Sequence, residues 1–366
     1  MDRRSTVRRL MRERELDALV VGSPDNVLYL TGVRMLMQRL VPDRYAFALL
    51  TDRSLTVLTV HSDADHARRD CIADAVMEYG HTQAPVEALA AALADGGLSR
   101  RRIGLETNFL PADDADVLRR RLPDAVWAPA AEVLREARMR KDPDEIARIR
   151  TGQHRTELAI TAGLAMSQEG DTERDMAQRI GANFFSYGAE QVDFILLTIG
   201  VNSTVFHLLP ADTRARRGDV VHLDCGASFN SYRSDLSRNV GIGSITAKQR
   251  DTYARLWDVQ RAVIAKMRPE VAVRELVDFY LAEMRRQGLE PPGDHLGHGI
   301  GLASHEYPEM TGECAVVLSP GMVLAVEPTT FVAGDARYDV EDVVVITGGG
   351  CEMLSGEFHG RDMWVI

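Results

Sequence analysis

The sequence predicts an α+β protein of two domains, a mixed α/β domain followed by an α+β domain with internal pseudo-twofold order. Three observations predict this. Over roughly 1–130, short apolar runs alternate with amphipathic helical patterns. From about 143 onwards the order is helix, helix, strands, and then helix, helix, strands again. Between the two, R-M-R-K-D-P interrupts the periodicity and Pro143 restarts a helix at its first turn. A length of 366 residues suits two domains, drawn here as 1–132 and 133–366.

In order, residues 5–16 read as an amphipathic helix and L-D-A-L-V-V-G (16–22) as a buried strand. S-P-D-N-V-L-Y-L-T-G offers Ser23 or Asp25 as helix N-cap and Gly32 as a stop. Y-A-F-A-L-L-T-D and S-L-T-V-L-T-V form a predicted hairpin about a D-R-S turn. Helical patterns follow at 84–95 and 112–121, with the strand-like R-I-G-L-E between them. The second domain carries helical patterns at 143–168, 172–188, 246–267 and 272–287. Its strands are expected at 192–199, in the hairpin V-V-H-L-D-C-G-A-S-F-N-S-Y-R-S-D-L-S-R (220–238), and at 321–327 and 339–346.

Composition narrows the function classes. With 45% hydrophobic and 27% charged residues the chain is of ordinary globular make-up. The charged N-terminus lacks an apolar signal region, and no run approaches the roughly 18–20 apolar residues of a membrane span, so a cytoplasmic protein is expected. A net charge of −11 disfavours nucleic acid and anionic membrane as partners. Cys71, Cys225, Cys314 and Cys351 lie far apart, which argues against a disulfide framework and a structural zinc site. Cys225, next to Asp224, points to the opposite strand face and reads as core.

The chemistry lies in the hairpins. Directly opposed residues of an antiparallel hairpin have a constant position sum. Symmetric pairing about Phe229 and Asn230 would make Asp224 and Asp235 cross-strand neighbours, with Cβ atoms about 5 Å apart. Glu327 and Glu341 repeat the arrangement about Gly334, again from apolar strands. Like charges so placed repel and resist burial, which a shared proton or a bound cation would relieve. With no lysine nearby, oxygen-rich ligands and one histidine suit manganese, cobalt, iron or zinc. The candidate histidine is His298 in H-L-G-H-G-I-G-L-A-S-H-E-Y-P, among glycines that let the backbone approach a ligand.

Taken together, these motifs resemble the creatinase, aminopeptidase P, prolidase and methionine aminopeptidase family. L-D-A-L-V-V-G-S-P-D-N-V-L-Y-L-T-G looks like its creatinase-type N-terminal domain, and M-R-K-D-P-D-E-I-A-R-I-R like the junction with a pita-bread catalytic domain. The Asp224/Asp235 hairpin, G-H-G-I-G-L-A-S-H-E-Y-P, P-G-M-V-L-A-V-E-P and V-E-D-V-V-V-I-T are similar to its metal-site blocks, in family order. The resemblance implies a dinuclear centre held by Asp224, Asp235, His298, Glu327 and Glu341, with two divalent ions, manganese first and cobalt, zinc or iron as alternatives. It implies substrate-binding roles for His207 and His305, which would hold the carbonyl or its oxyanion. It also implies a bridging hydroxide that attacks the carbonyl while Glu327 relays the proton. A homodimer formed through the N-terminal domain is the corresponding expectation.

Three positions depart from the family pattern. Asp339 stands where an arginine is usual, and by alternation it would add an acid near Glu341, with Arg337 one alternation back. Thr329 replaces a glycine, and Asp294 replaces a histidine that His295 misses by one position. The expected activity is cleavage of the bond before proline in dipeptides or short peptides. The alternatives are hydrolysis of a non-peptide amide or another small C–N bond, and a non-catalytic binding module on the same fold.

Overall fold

The computed structural model describes residues 3–41, 43–356 and 360–366. The chain divides into two compact units between Arg138 and Met139, six residues beyond the expected 132/133 junction. Helix Ala131–Met139 accounts for the difference. It buries Val133, Leu134 and Ala137, and the Ala137 carbonyl accepts a 3.1 Å hydrogen bond from the Tyr29 hydroxyl.

The first unit is built on a six-stranded sheet in the order Ala75–Tyr79, Leu55–Val60, Phe47–Thr51, Ala18–Val21, Arg102–Leu105, Val126–Pro129. Phe47–Thr51 and Leu55–Val60 form the expected antiparallel hairpin. Helix Pro24–Thr31 begins after Ser23 and ends at Gly32 with φ 76°, the left-handed stop that glycine favours. Ser23 makes no side-chain cap; instead Glu106 accepts the Gly22 and Ser23 N–H groups, each at 2.9 Å. Helices Leu36–Leu40 and His61–Asp70 lie outside the sequence expectation. H-S-D-A-D-H-A-R-R-D buries only Asp63, Ala64 and Ala67, too little for a legible apolar stripe.

The second unit repeats one plan. Helices Pro143–Ala165 and Glu173–Ser186 precede strands Gln191–Ile199, Val220–Phe229 and Leu236–Gly241. Helices Ala247–Ile264 and Val273–Arg286 precede strands Gly297–Gly299, Val323–Val326 and Asp342–Ile346. Capping boxes at Asp142/Glu145, Thr172/Asp175 and Thr246/Gln249 fix three of the four helix starts. The entry to the second helix of each pair makes an isolated antiparallel bridge, Thr172 with Arg214 and Ala272 with Val317. One core lies beneath the first half, around Ile160, Phe184, Leu223 and Cys225, and a second beneath the other, around Trp257, Tyr280, Leu324 and Val344. Cys225 is core, as its strand alternation requires.

Candidate metal centre

The first hairpin is real, but its register differs from the symmetric expectation. Asp224 faces Ser237, Cys225 faces Leu236, and Phe229 faces Tyr232. Asn230 and Ser231 form the tight turn, both with positive φ of 49° and 70°. Two such residues in succession suit the twist of a hairpin. Asp235 is therefore the diagonal neighbour of Asp224 and not its direct partner. Gly226 makes this possible: a Cβ there would lie 2.2 Å from the Ser234 carbonyl and 2.9 Å from the Phe194 ring.

The second hairpin has the predicted register. Val326 pairs with Asp342 and Thr329 with Asp339, so Glu327 and Glu341 fall opposite one another at the same position sum. His298, on strand Gly297–Gly299, pairs with Ala325 of the neighbouring strand. Its Nε2 lies 3.4 Å from Glu327 Oε1 and 4.0 Å from both Asp235 Oδ2 and Glu341 Oε1. His298 Nδ1 donates to the Gly299 carbonyl at 3.0 Å, which leaves the Nε2 lone pair directed at the acids.

Such an arrangement is electrostatically incomplete. Asp224 Oδ1, Glu327 Oε1 and Glu341 Oε1 are buried without a hydrogen-bond partner among the described residues. Burial, followed by repulsion from Asp339, pushes Asp224 up to about 7. The same two causes push Glu327 up to about 8. Burial, followed by repulsion from Asp224 in the first case and from Asp235 in the second, raises Asp235 and Glu341 well above the carboxylate range. Burial also takes His298 down to about 4. Ligand atoms of Asp235, His298 and Glu341 lie within 4.8 Å of one another. Orphaned oxygens and an imidazole lone pair around one space fit a hard or borderline cation.

The acids open into a cavity of about 540 Å³. Its walls include His207, His305, Phe194, Leu196, Phe206 and Thr329. The His305 ring stacks on His298 with centroids 3.6 Å apart. His207 follows the short helix Gly200–Thr204 with φ 58°. His295 also reaches the site, with Nδ1 3.6 Å from Glu327 Oε1. It lies in a loop before the strand, so alternation could not reveal it. Phe194 and Leu196 were legible in principle, since they alternate along a strand in which Leu196 faces Asp224.

Asp339 does add an acid near the centre, and Arg337 answers it. Arg337 Nε donates to Asp339 Oδ2 at 3.1 Å, Nη2 donates to the same oxygen, and His222 Nε2 lies 3.5 Å away. Burial pushes the Asp339 carboxyl up, but Arg337 and His222 outweigh it and hold the group below its ordinary value. His222 was readable as two residues before Asp224 on the same strand face.

Comparison with known proteins follows the same division. The model of metallopeptidase family M24 matches residues 147–348, and that of the creatinase/prolidase N-terminal domain matches 3–140. The chain is 26% identical over 347 residues to an Xaa-Pro dipeptidase of Pyrococcus horikoshii, covering 94% of each. It is 31% identical over 229 residues to the Xaa-Pro dipeptidase of Pyrococcus furiosus, covering 61% of this chain and 65% of that one. Among solved structures, an X-Pro aminopeptidase from Thermotoga maritima superposes with a TM-score of 0.89 at 23% identity, covering 100% of both chains.

Proposed function

This chain belongs to metallopeptidase family M24, and from that premise we propose that it hydrolyses the bond before proline in short peptides, with Asp224, Asp235, His298, Glu327 and Glu341 holding two divalent ions. The observation that carries this reading is the set of buried carboxylate oxygens without partners, facing the free lone pair of His298. When bound, the metal pair neutralises the acids, polarises the scissile carbonyl and activates water near neutral pH.

The chain's own residues supply the remainder. Glu327, at the cavity wall between His295 and His298, accepts the proton of the attacking water and delivers it to the leaving nitrogen. His207 and His305 donate to the carbonyl oxygen as it gains charge, where a positioned donor acts most strongly. Phe194, Leu196 and Phe206 form an apolar wall that suits a pyrrolidine ring and excludes water. Asp339 was the residue that favoured a non-peptide amide, and its pairing with Arg337 withdraws that support.

Manganese is the proposed metal, on the ground of four carboxylates to one imidazole. The homodimer and a cytoplasmic setting rest on the family resemblance and on composition; no helix among the described residues is long and apolar enough to cross a membrane. The test is chelation, verified by metal analysis, then re-addition of manganese and assay on a panel of Xaa-Pro dipeptides and longer peptides. Activity should vanish and return. Full activity without metal, or no turnover of any peptide with it, ends the reading.

A further inference from the structure

A peptide bound with its scissile bond at the acids must set whatever follows proline against the rest of the cavity. A free carboxylate there needs a cation, because an unpaired buried charge is costly. Arg337 is the one lysine or arginine among the described residues lining the cavity. Its Nε and Nη2 are both directed at Asp339 Oδ2, and its guanidinium lies 4.5 Å from the centroid of the Phe206 ring. The Nε/Nη2 edge of the guanidinium, one of the two that could grip a carboxylate in bidentate fashion, is thus engaged, and its charge matched, by a fully buried side chain.

Two of the lining imidazoles each turn one nitrogen to Glu309, which leaves His305 Nε2 for the carbonyl oxygen. His295 Nε2 lies 3.2 Å from Glu309 Oε2, and His305 Nδ1 lies 3.7 Å from Glu309 Oε1. The other charged lining groups are the acids Asp224, Asp235, Glu327 and Glu341. A carboxylate entering beside the scissile bond therefore meets acids that the metal pair only neutralises, an arginine already matched by Asp339, imidazole nitrogens turned to Glu309, and aromatic wall.

We propose that this cavity discriminates against a free carboxylate on the residue after the scissile bond, so its substrates are peptides that continue beyond proline or are capped there. This deepens, and rests on, the Xaa-Pro peptidase reading above. Arg337 with Asp339 and Glu309 with the two histidines are the specificity-determining groups, because Asp339 matches the arginine's charge and Glu309 occupies imidazole nitrogens that a dipeptide's terminus would otherwise use.

The test changes one charge and little else. The manganese-loaded full chain is assayed at pH 8, above the usual titration of imidazole, on Ala-Pro, Ala-Pro-amide and Ala-Pro-Ala. The amide and the tripeptide should each exceed Ala-Pro in kcat/KM by about tenfold, chiefly through KM. Glu309→Gln, which releases the histidines, should narrow the amide-to-acid ratio severalfold. A ratio below about threefold in the unaltered protein overturns the proposal while leaving the peptidase reading intact. An unchanged ratio in Glu309→Gln overturns the part given to that residue. Turnover of none of the three substrates overturns both readings.

Discussion

Asp235 is 3% exposed, and it stands opposite the imidazole lone pair of His298 and beside Asp224. Replacing it with asparagine removes a charge that only a cation can offset, so the fold should survive while the metal is lost. Asp235→Asn is expected to retain the native circular dichroism spectrum, bind less than half the wild-type metal, and lose at least about a hundredfold in activity. Wild-type metal content in this variant would remove Asp235 from the ligand set. A second buried acid lies outside the centre. Burial pushes Glu157 up from 4.5 to about 7, against the opposing effects of the Gly356 N–H and Arg238. Because the folded value is raised, its contribution to stability is fully present below pH 4.5 and is lost as pH rises through about 7. Relative to wild type, Glu157→Gln should therefore gain roughly 3 kcal/mol in urea unfolding between pH 5 and pH 8. Equal pH slopes for the two proteins would refute this.

The elements show what could be read in advance. Glu327 and Glu341 were placed opposite one another because a turn centred on Gly334 keeps the hairpin symmetric, and the ladder obeys it on both sides. The aspartate hairpin slipped because Asn230 and Ser231 adopt two successive left-handed conformations, which moves the turn one residue later. Asn is among the residues that tolerate this, so the signal was present but weak. Arg337 and Asp339 followed from strand alternation, whereas His295 depends on a loop path that no period encodes. A tertiary pairing also escaped the sequence. K-D-P and S-H-E-Y-P, 165 positions apart, meet in an ion pair between Lys141 Nζ and Glu306 Oε2 at 3.1 Å, with side chains 1% and 6% exposed. Glu306 Oε1 also accepts the N–H groups of Leu302 and Ala303, and Gly301 leaves room for it, since a Cβ there would lie 2.8 Å from the carboxylate. The loop that ends in His305 is thereby wrapped around Glu306. Lys141→Met strands a buried carboxylate and should cost about 3–5 kcal/mol. Lys141→Met combined with Glu306→Gln should recover much of that loss, as denaturant midpoints would reveal. Additive losses in the double variant would contradict the pairing.

For the whole molecule, the separate cores make a thermal prediction. Residues such as Val20, Phe47 and Leu89 pack in the first unit, while Trp257, Leu324 and Val344 pack in the second. The proposed ligands all belong to Met139–Ile366. Manganese at a hundred times its Kd should stabilise that unit by about 2.7 kcal/mol and leave the other unmoved. Calorimetry with and without chelator should show one transition shifting and one fixed. Two transitions that move together would contradict this division. The repeat within the second unit has one more implication. Asp224 and Asp235 come from its first helix-pair-and-sheet half, and His298, Glu327 and Glu341 from its second. Neither half owns a complete claw, so an ion held there acts as a rivet across the seam. The off-rate of the ion would then report how often the two halves breathe apart.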